Sequence, residues 1–172
     1  MRCFRFLALL VGLSALVFLS SCDSKVKPDF LSTDITGASF GRDFKLSDHN
    51  GDLRSLADFR GKVVLLFFGY TNCPDICPSI MAKLTGAVKN LGKDSNQIQV
   101  LFISVDPEHD TPALLKQYVS TFNPNFLGLS GDLETTRNIA KEFKIAFQKQ
   151  AEATQDSYVM EHSAGTYILD QK

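Results

Sequence analysis

The chain has 172 residues, 44% hydrophobic and 22% charged, and carries a formal net charge of -1. That size and balance fit one globular domain with a real core. Its Lys and Arg residues are scattered rather than blocked, which leaves no field to steer nucleic acid, so a nucleic-acid partner is set aside.

In chain order, the N-terminus comes first. Arg2 and Arg5 open a short cationic start, residues 6–19 are almost wholly apolar, and Ser20-Ser21-Cys22 follows. A run this short falls below the roughly 20 residues a membrane span needs and reads as a secretory signal over residues 1–21. Leu19-Ser20-Ser21-Cys22 is similar to a bacterial lipobox, which implies cleavage before Cys22 and lipid on its sulfur. Asp23 then resembles an inner-membrane retention signal, so the expected location is the outer, periplasmic face of a bacterial inner membrane. Residues 22–37 are polar, contain Pro28 and Gly37, and suit a flexible tether; the domain is expected over residues 38–172.

Within it, residues 40–46 alternate as a strand and Asn50-Gly51 is a hairpin signal. Residues 62–69, KVVLLFFG, form an unbroken β-branched and aromatic run, as expected of a central strand covered on both faces. Apolar spacing predicts a helix over residues 79–91, stopped by Gly92, and residues 98–105 give a second buried strand. Asp110 or Thr111 can cap a helix running to about Thr121, with Pro112 in its first turn. A short strand over 126–129, a helix over 133–143 capped by Asp132, and strands over 145–148 and 166–169 complete the reading. The order predicts an α/β fold with a mixed central sheet, flanked by helices and preceded by a β-hairpin.

Four cysteines are present. Cys3 leaves with the leader and Cys22 is assigned to lipid, so Cys73 and Cys77 remain as the free thiols of an exported domain. They stand four positions apart where the first buried strand feeds a helix start, close enough to share a metal or close a disulfide. The N-terminal end of a helix also favours thiolate. So small a ring removes little chain entropy, so redox or metal chemistry is favoured over loop closure. Two thiolates with an imidazole would form a soft set suited to Cu(I), or to Cu(II) with further ligands. Zinc is the rival and would want a fourth ligand. Four-cysteine iron–sulfur clusters and the C-x-x-C-H haem motif are absent. His49, in a turn, and His109, between acids, read as solvated; Met160 reads as core; Asp106 and Asp110 read as capping acids, with Asp106 also able to order the site.

GYTNCPDICPSIM, SVDPEHDTP and the late EHSAGTYILD together resemble the Sco/SenC family, over residues from about 38 to the end. The resemblance implies a thioredoxin-like fold and places metal ligands on Cys73, Cys77 and His162. It further implies copper binding and delivery to the binuclear copper site of cytochrome c oxidase, making the chain a metallochaperone rather than an enzyme in the strict sense. The oxidase subunit, a thioredoxin-like thiol reductase that keeps Cys73 and Cys77 from a redox-active disulfide, and an upstream copper donor are the implied partners. A thiol–disulfide oxidoreductase needing Cys73 and Cys77 but not His162 is the alternative; a peroxide-reacting protein is a third, since Thr71-Asn72-Cys73 is similar to the T-x-x-C of peroxiredoxins. The resemblance also implies a turn, strand and closing helix after Lys172, so the C-terminal end reads as truncated.

Overall fold

Asp48 closes the first turn of the fold: its carboxylate accepts the N–H groups of Asn50 at 2.8 Å and Asp52 at 3.1 Å and pairs with Arg54 Nε at 2.9 Å. This turn joins β1 (Leu46–Asp48) to β2 (Leu53–Arg54), and Gly51 at φ 92° supplies the left-handed residue it requires. The computed structural model describes residues 30–151 and 158–171. The leader, Cys22 and residues 23–29 of the tether lie outside the described residues. The chain divides between Gly37 and Ala38, and every strand and helix among the described residues belongs to the second unit.

A short 3₁₀ turn at Leu56–Phe59 leads into β3 (Val63–Gly69). Helix α1 (Ile76–Asn90), β4 (Ile98–Ser104), α2 (Pro112–Phe122), β5 (Leu127–Ser130) and α3 (Leu133–Glu142) follow. The chain then forms β6 (Phe147–Ala151), β7 (Tyr158–His162) and β8 (Thr166–Leu169). Strands β3, β4 and β5 run parallel, with Leu66 opposite Leu101 and Ile103 opposite Leu129. β1 closes one side antiparallel to β5, and β8 the other antiparallel to β3, giving the order β2-β1-β5-β4-β3-β8. The apolar runs lie at the centre of this mixed sheet because helices cover it; Leu66, Phe67, Phe68, Leu101, Phe102 and Ile103 are fully buried. Each helix buries one stripe at helical spacing: Cys77, Met81 and Val88 in α1, Leu115 and Val119 in α2, Ile139 and Ala140 in α3. Among the described residues, no helix is long and apolar enough to cross a membrane.

Four features depart from the expected elements. The strand expected over residues 40–46 is β1 at Leu46–Asp48, set by its pairing with β2 and β5, and residues 40–45 are outside it. Helix α1 begins at Ile76, three residues early, because Pro78 falls in the first turn, where its missing N–H has no intrahelical partner to lose. Asp110 does not cap α2; Thr111 does, accepting the Leu114 N–H at 3.3 Å. The strand after α3 does not join the central sheet but pairs with β7, which the sequence reading did not anticipate, in a separate antiparallel ladder with Phe147 opposite His162.

One glycine couples the sheet to the first turn of α1. A carbon added to Gly69, the last residue of β3, would stand 2.9 Å from Cys77 Sγ and 2.9 Å from ring carbons of both Phe67 and Phe102. Since core overpacking costs about 1–3 kcal/mol, Gly69→Ala is expected to lower stability by that amount in urea unfolding. It should also raise the reactivity of the Cys77 thiol toward a maleimide, as the helix start is pushed off the sheet.

Candidate metal centre

The end of β3 is fixed before any cysteine is reached. Asp110 is fully buried, and its carboxylate accepts from the Thr71 hydroxyl at 2.6 Å, the Thr71 N–H at 3.1 Å and the Ser104 hydroxyl at 2.6 Å, and meets His109 Nδ1 at 3.1 Å. A carboxylate can accept that many donors, and such charge-assisted bonds are the strong ones. Asp110 therefore ties the loop entering the cysteine motif to the end of β4, the role the sequence reading gave to helix capping.

Beyond Thr71 the loop carries Cys73, partly buried, and Asp75 as the residue before α1. Cys77 lies in the first helical turn and is fully buried. Its N–H, one of the donors a helix start leaves without an intrahelical acceptor, is directed at Cys73 Sγ at 3.4 Å. The two sulfurs thus differ in access: Cys73 borders solvent and Cys77 does not. Both are free thiols. The helix start was expected to favour thiolate, yet burial, the largest influence on Cys77, pushes its thiol well above the ordinary 9.0, aided by the neighbouring Cys73. In this environment Cys77 holds its proton until something replaces it.

His162 closes the group from β7. Its Nε2 stands 3.4 Å from Cys77 Sγ, while Nδ1 lies 3.0 Å from the Ser163 carbonyl oxygen. A carbonyl only accepts, so Nδ1 donates there and Nε2 is the ring nitrogen that faces the sulfur. The ring is held edge-on by Tyr70 at 5.8 Å and Phe67 at 6.2 Å between centroids. One donor atom from each of Cys73, Cys77 and His162 lies within 4.8 Å of the other two. Two sulfurs and one imidazole nitrogen, one sulfur sealed from water, make a soft donor set that a low-coordinate copper ion fits; zinc would lack its usual fourth protein ligand from this group.

The strand that carries His162 is latched at both ends. The Tyr158 hydroxyl donates to Asp106 just past β4, and Ser163 N donates to the Ala146 carbonyl at 2.9 Å while Ala146 N donates to the Ser163 hydroxyl at 3.1 Å. Burial and the Asp106 carboxylate both raise the Tyr158 hydroxyl. Asp106 thus reaches the hairpin bearing His162, and Met160 is core, 5% exposed, as expected of it. His49 differs from its expected solvated state: its Nδ1 accepts the Gly128 N–H at 3.1 Å, its own N–H reaches the Gly128 carbonyl at 2.9 Å, and burial lowers its basicity. It is a splice between β1 and β5. His109, Asp106 and Asp110 also bring ligand-type atoms within 4.8 Å of one another, but Asp110 is occupied by its hydroxyl and amide donors and Asp106 by Tyr158. Sequence reasoning missed the tyrosine latch because Tyr158 lies far from the motif it serves.

Comparison with known proteins follows the same outline. The SCO1/SenC family profile matches residues 32–172. A SCO2-like protein of Rickettsia felis is 35% identical over 167 residues, covering 95% of this chain and 82% of the relative. The structure of Bradyrhizobium japonicum ScoI with copper bound is 38% identical with a TM-score of 0.73, over 77% of this chain and 84% of that one. The structure of BsSco, described with a disulfide switch and as a member of the Sco family of cytochrome c oxidase assembly proteins, is 25% identical with a TM-score of 0.55, over 75% and 83%. These structures share the thioredoxin-like arrangement of a mixed sheet flanked by helices that the sequence order predicted. With the profile matching most of the length and the ordered motifs all inside the match, this chain belongs to the SCO1/SenC family.

Proposed function

We propose that this protein is a membrane-tethered copper chaperone that holds copper through Cys73, Cys77 and His162 and hands it to the binuclear copper site of cytochrome c oxidase. The observation that carries the reading is the meeting of two sulfurs and one imidazole nitrogen, from separate parts of the chain, within 4.8 Å. The copper-bound ScoI relative and the oxidase-assembly description of BsSco support it. Copper is cargo here, so the site must release as well as hold. Cys73, at the solvent edge, is the donor an incoming thiolate meets first, and Cys77 is the one that anchors the ion until last. The oxidase copper-site subunit is the recipient, an upstream donor loads the site, and a thioredoxin-like reductase keeps the thiols open. Lipid on Cys22 would hold the domain at the periplasmic face of the inner membrane.

The second reading, a thiol–disulfide oxidoreductase, is favoured by one specific observation: an accessible Cys73 beside a sealed Cys77 is the pairing of an attacking and a resolving thiol. Elemental analysis and thiol-reduction assays on anaerobically reduced protein separate the two. The chaperone predicts one copper per chain, loss of stable binding in Cys73→Ser and Cys77→Ser, and at least about tenfold weaker retention in His162→Ala, since even groups that only orient a ligand contribute about 10–100-fold. Undiminished reduction of insulin by His162→Ala, with no copper retained by the wild type, would reject the chaperone.

The raised Cys77 thiol sets the pH dependence. Protonated through the neutral range, it must give up its proton on binding, so protons compete with copper. Apparent affinity should rise with pH by about tenfold per unit for each proton released. Competition titrations against a chelator of known pH response between about pH 6 and about pH 8 check this, and an affinity falling with pH would contradict a thiol ligand at Cys77.

Removing the latch should act through His162 alone. Tyr158→Phe leaves the buried Asp106 carboxylate without its hydroxyl donor, a loss on the order of 1–3 kcal/mol. Copper should dissociate faster, as in His162→Ala but to a smaller degree, with stoichiometry unchanged, read by stopped-flow transfer to a chelator.

A further inference from the structure

The cations of this chain balance its acids overall, giving a net charge of -1, but folding does not distribute them evenly. An open cleft of about 810 Å³ lies between α3, the segment after β4 and the β6–β7 hairpin, within the roughly 300–1,000 Å³ span of sites that hold a ligand. Arg137, Lys141, Lys144 and Lys149 line it, against Asp106 and Glu108. One cation is answered in place: Lys149 meets Glu108 at 3.9 Å and lies over the Tyr158 ring at 4.0 Å, while Asp106 is buried and takes the Tyr158 hydroxyl.

Two placements carry a local cost, although Lys141, in the last turn of α3, also complements the helix dipole. Arg137 and Lys141 stand at i and i+4 on α3, where like charges repel. Lys144 has φ 54°, the left-handed geometry after a helix for which glycine is cheapest, yet a lysine occupies it. Lys144 has partners outside the cleft, its Nζ standing 6.0 Å from the Phe40 ring and its charge acting on Glu142, which Arg42 also engages; Glu134 is not among the lining residues, so the cleft's charge rests on Arg137 and Lys141. The floor is apolar, built from Ile145, Phe147 and Met160. The cleft shares β7 with the thiol–imidazole group, Met160 facing the cleft and His162 lying two residues on, paired across the ladder with Phe147.

We propose that this cleft docks an acidic, partly apolar peptide segment of the protein that exchanges metal or thiol electrons at Cys73, Cys77 and His162. Charge complementarity selects an acidic occupant, and the concave apolar floor selects a chain segment over a flat bilayer surface, whose headgroups would meet only the rim. Docking here seats the partner against the strand that carries His162, and cationic rims of this kind raise encounter rates in a salt-dependent way. The inference does not depend on which cargo the site carries.

The test uses the full chain in neutral detergent and a short fluorescein-labelled peptide of alternating glutamate and leucine, followed by fluorescence polarisation. Saturable binding that weakens with added salt is expected, together with at least about tenfold loss in R137E/K141E and a smaller loss in R137Q/K141Q, while both variants keep the wild-type copper stoichiometry and unfolding midpoint. The same peptide with glutamine for glutamate should not bind. Equal binding of the glutamine peptide, equal binding by R137E/K141E, or no saturable binding by the wild type overturns the proposal. So does a variant that keeps peptide binding but loses attachment to phosphatidylglycerol vesicles, since the occupant would then be lipid. A variant that loses copper along with peptide would also overturn it, by showing that the cations act through the metal site.

Discussion

Everything at this centre depends on how closely a helix start can approach the end of a strand. At Gly69 a hydrogen stands where any side-chain carbon would lie 2.9 Å from Cys77 Sγ, and Phe67 and Phe102 wall the same space. The approach removes the Cys77 sulfur from water entirely. A thiol so placed keeps its proton, because the charged form has lost its hydration. The Cys77 sulfur lies 3.4 Å from His162 Nε2. A cation that takes the place of that proton restores charge balance where solvent cannot, and this makes a sealed sulfur useful rather than merely costly.

The two sides of the centre are held by different means. The thiol side is braced by Asp110, whose carboxylate joins Thr71 to Ser104 across the ends of β3 and β4. Burying a carboxylate is expensive, and it is tolerable only when its oxygens are well supplied with donors, as they are here. The imidazole side rides on a two-stranded ladder outside the six-stranded sheet, secured by Tyr158 on Asp106 and by Ser163 on Ala146. Those contacts act together with Met160, buried in the core, and with the Tyr70 and Phe67 rings set against the imidazole.

Much of this was legible in the sequence where burial dominates composition. KVVLLFFG and the run from Ile98 lack alternation because they are covered on both faces, and they appear as β3 and β4 with ends shifted by a residue. Thr111 and Asp132 cap their helices as their side-chain chemistry suggests. The losses came where distant contacts override local signals. Asp110 looks like a cap because it precedes a helix, and only the fold brings Thr71 and Ser104 to it. His49 looks solvated in its turn, until β5 supplies Gly128. β7 is short and mixed, and its partner β6 is largely polar, so neither shows strong periodicity. His162 itself could be singled out only through the family motif, since one histidine in such a segment has no local mark of a ligand.

The unequal exposure of the two sulfurs gives a direction to exchange. An entering thiolate must approach through solvent, so it can reach an ion from the partly exposed Cys73 and His162 rather than from Cys77. Forming that new bond while Cys77 still holds the ion avoids a bare cation at every stage, and the last bond to break is the one buried deepest. On the second reading the same asymmetry serves electrons: Cys73 attacks a partner disulfide and expels one partner thiolate, and Cys77, within the 4.8 Å group, then attacks the mixed disulfide, closing Cys73–Cys77 as its proton passes to the second partner thiolate released. Metal transfer and thiol exchange therefore share one geometry, and His162 is what separates them, because it contributes a donor to the ion and nothing to a disulfide. On the proposed reading, the latch that positions His162 bears on metal holding and not on thiol exchange.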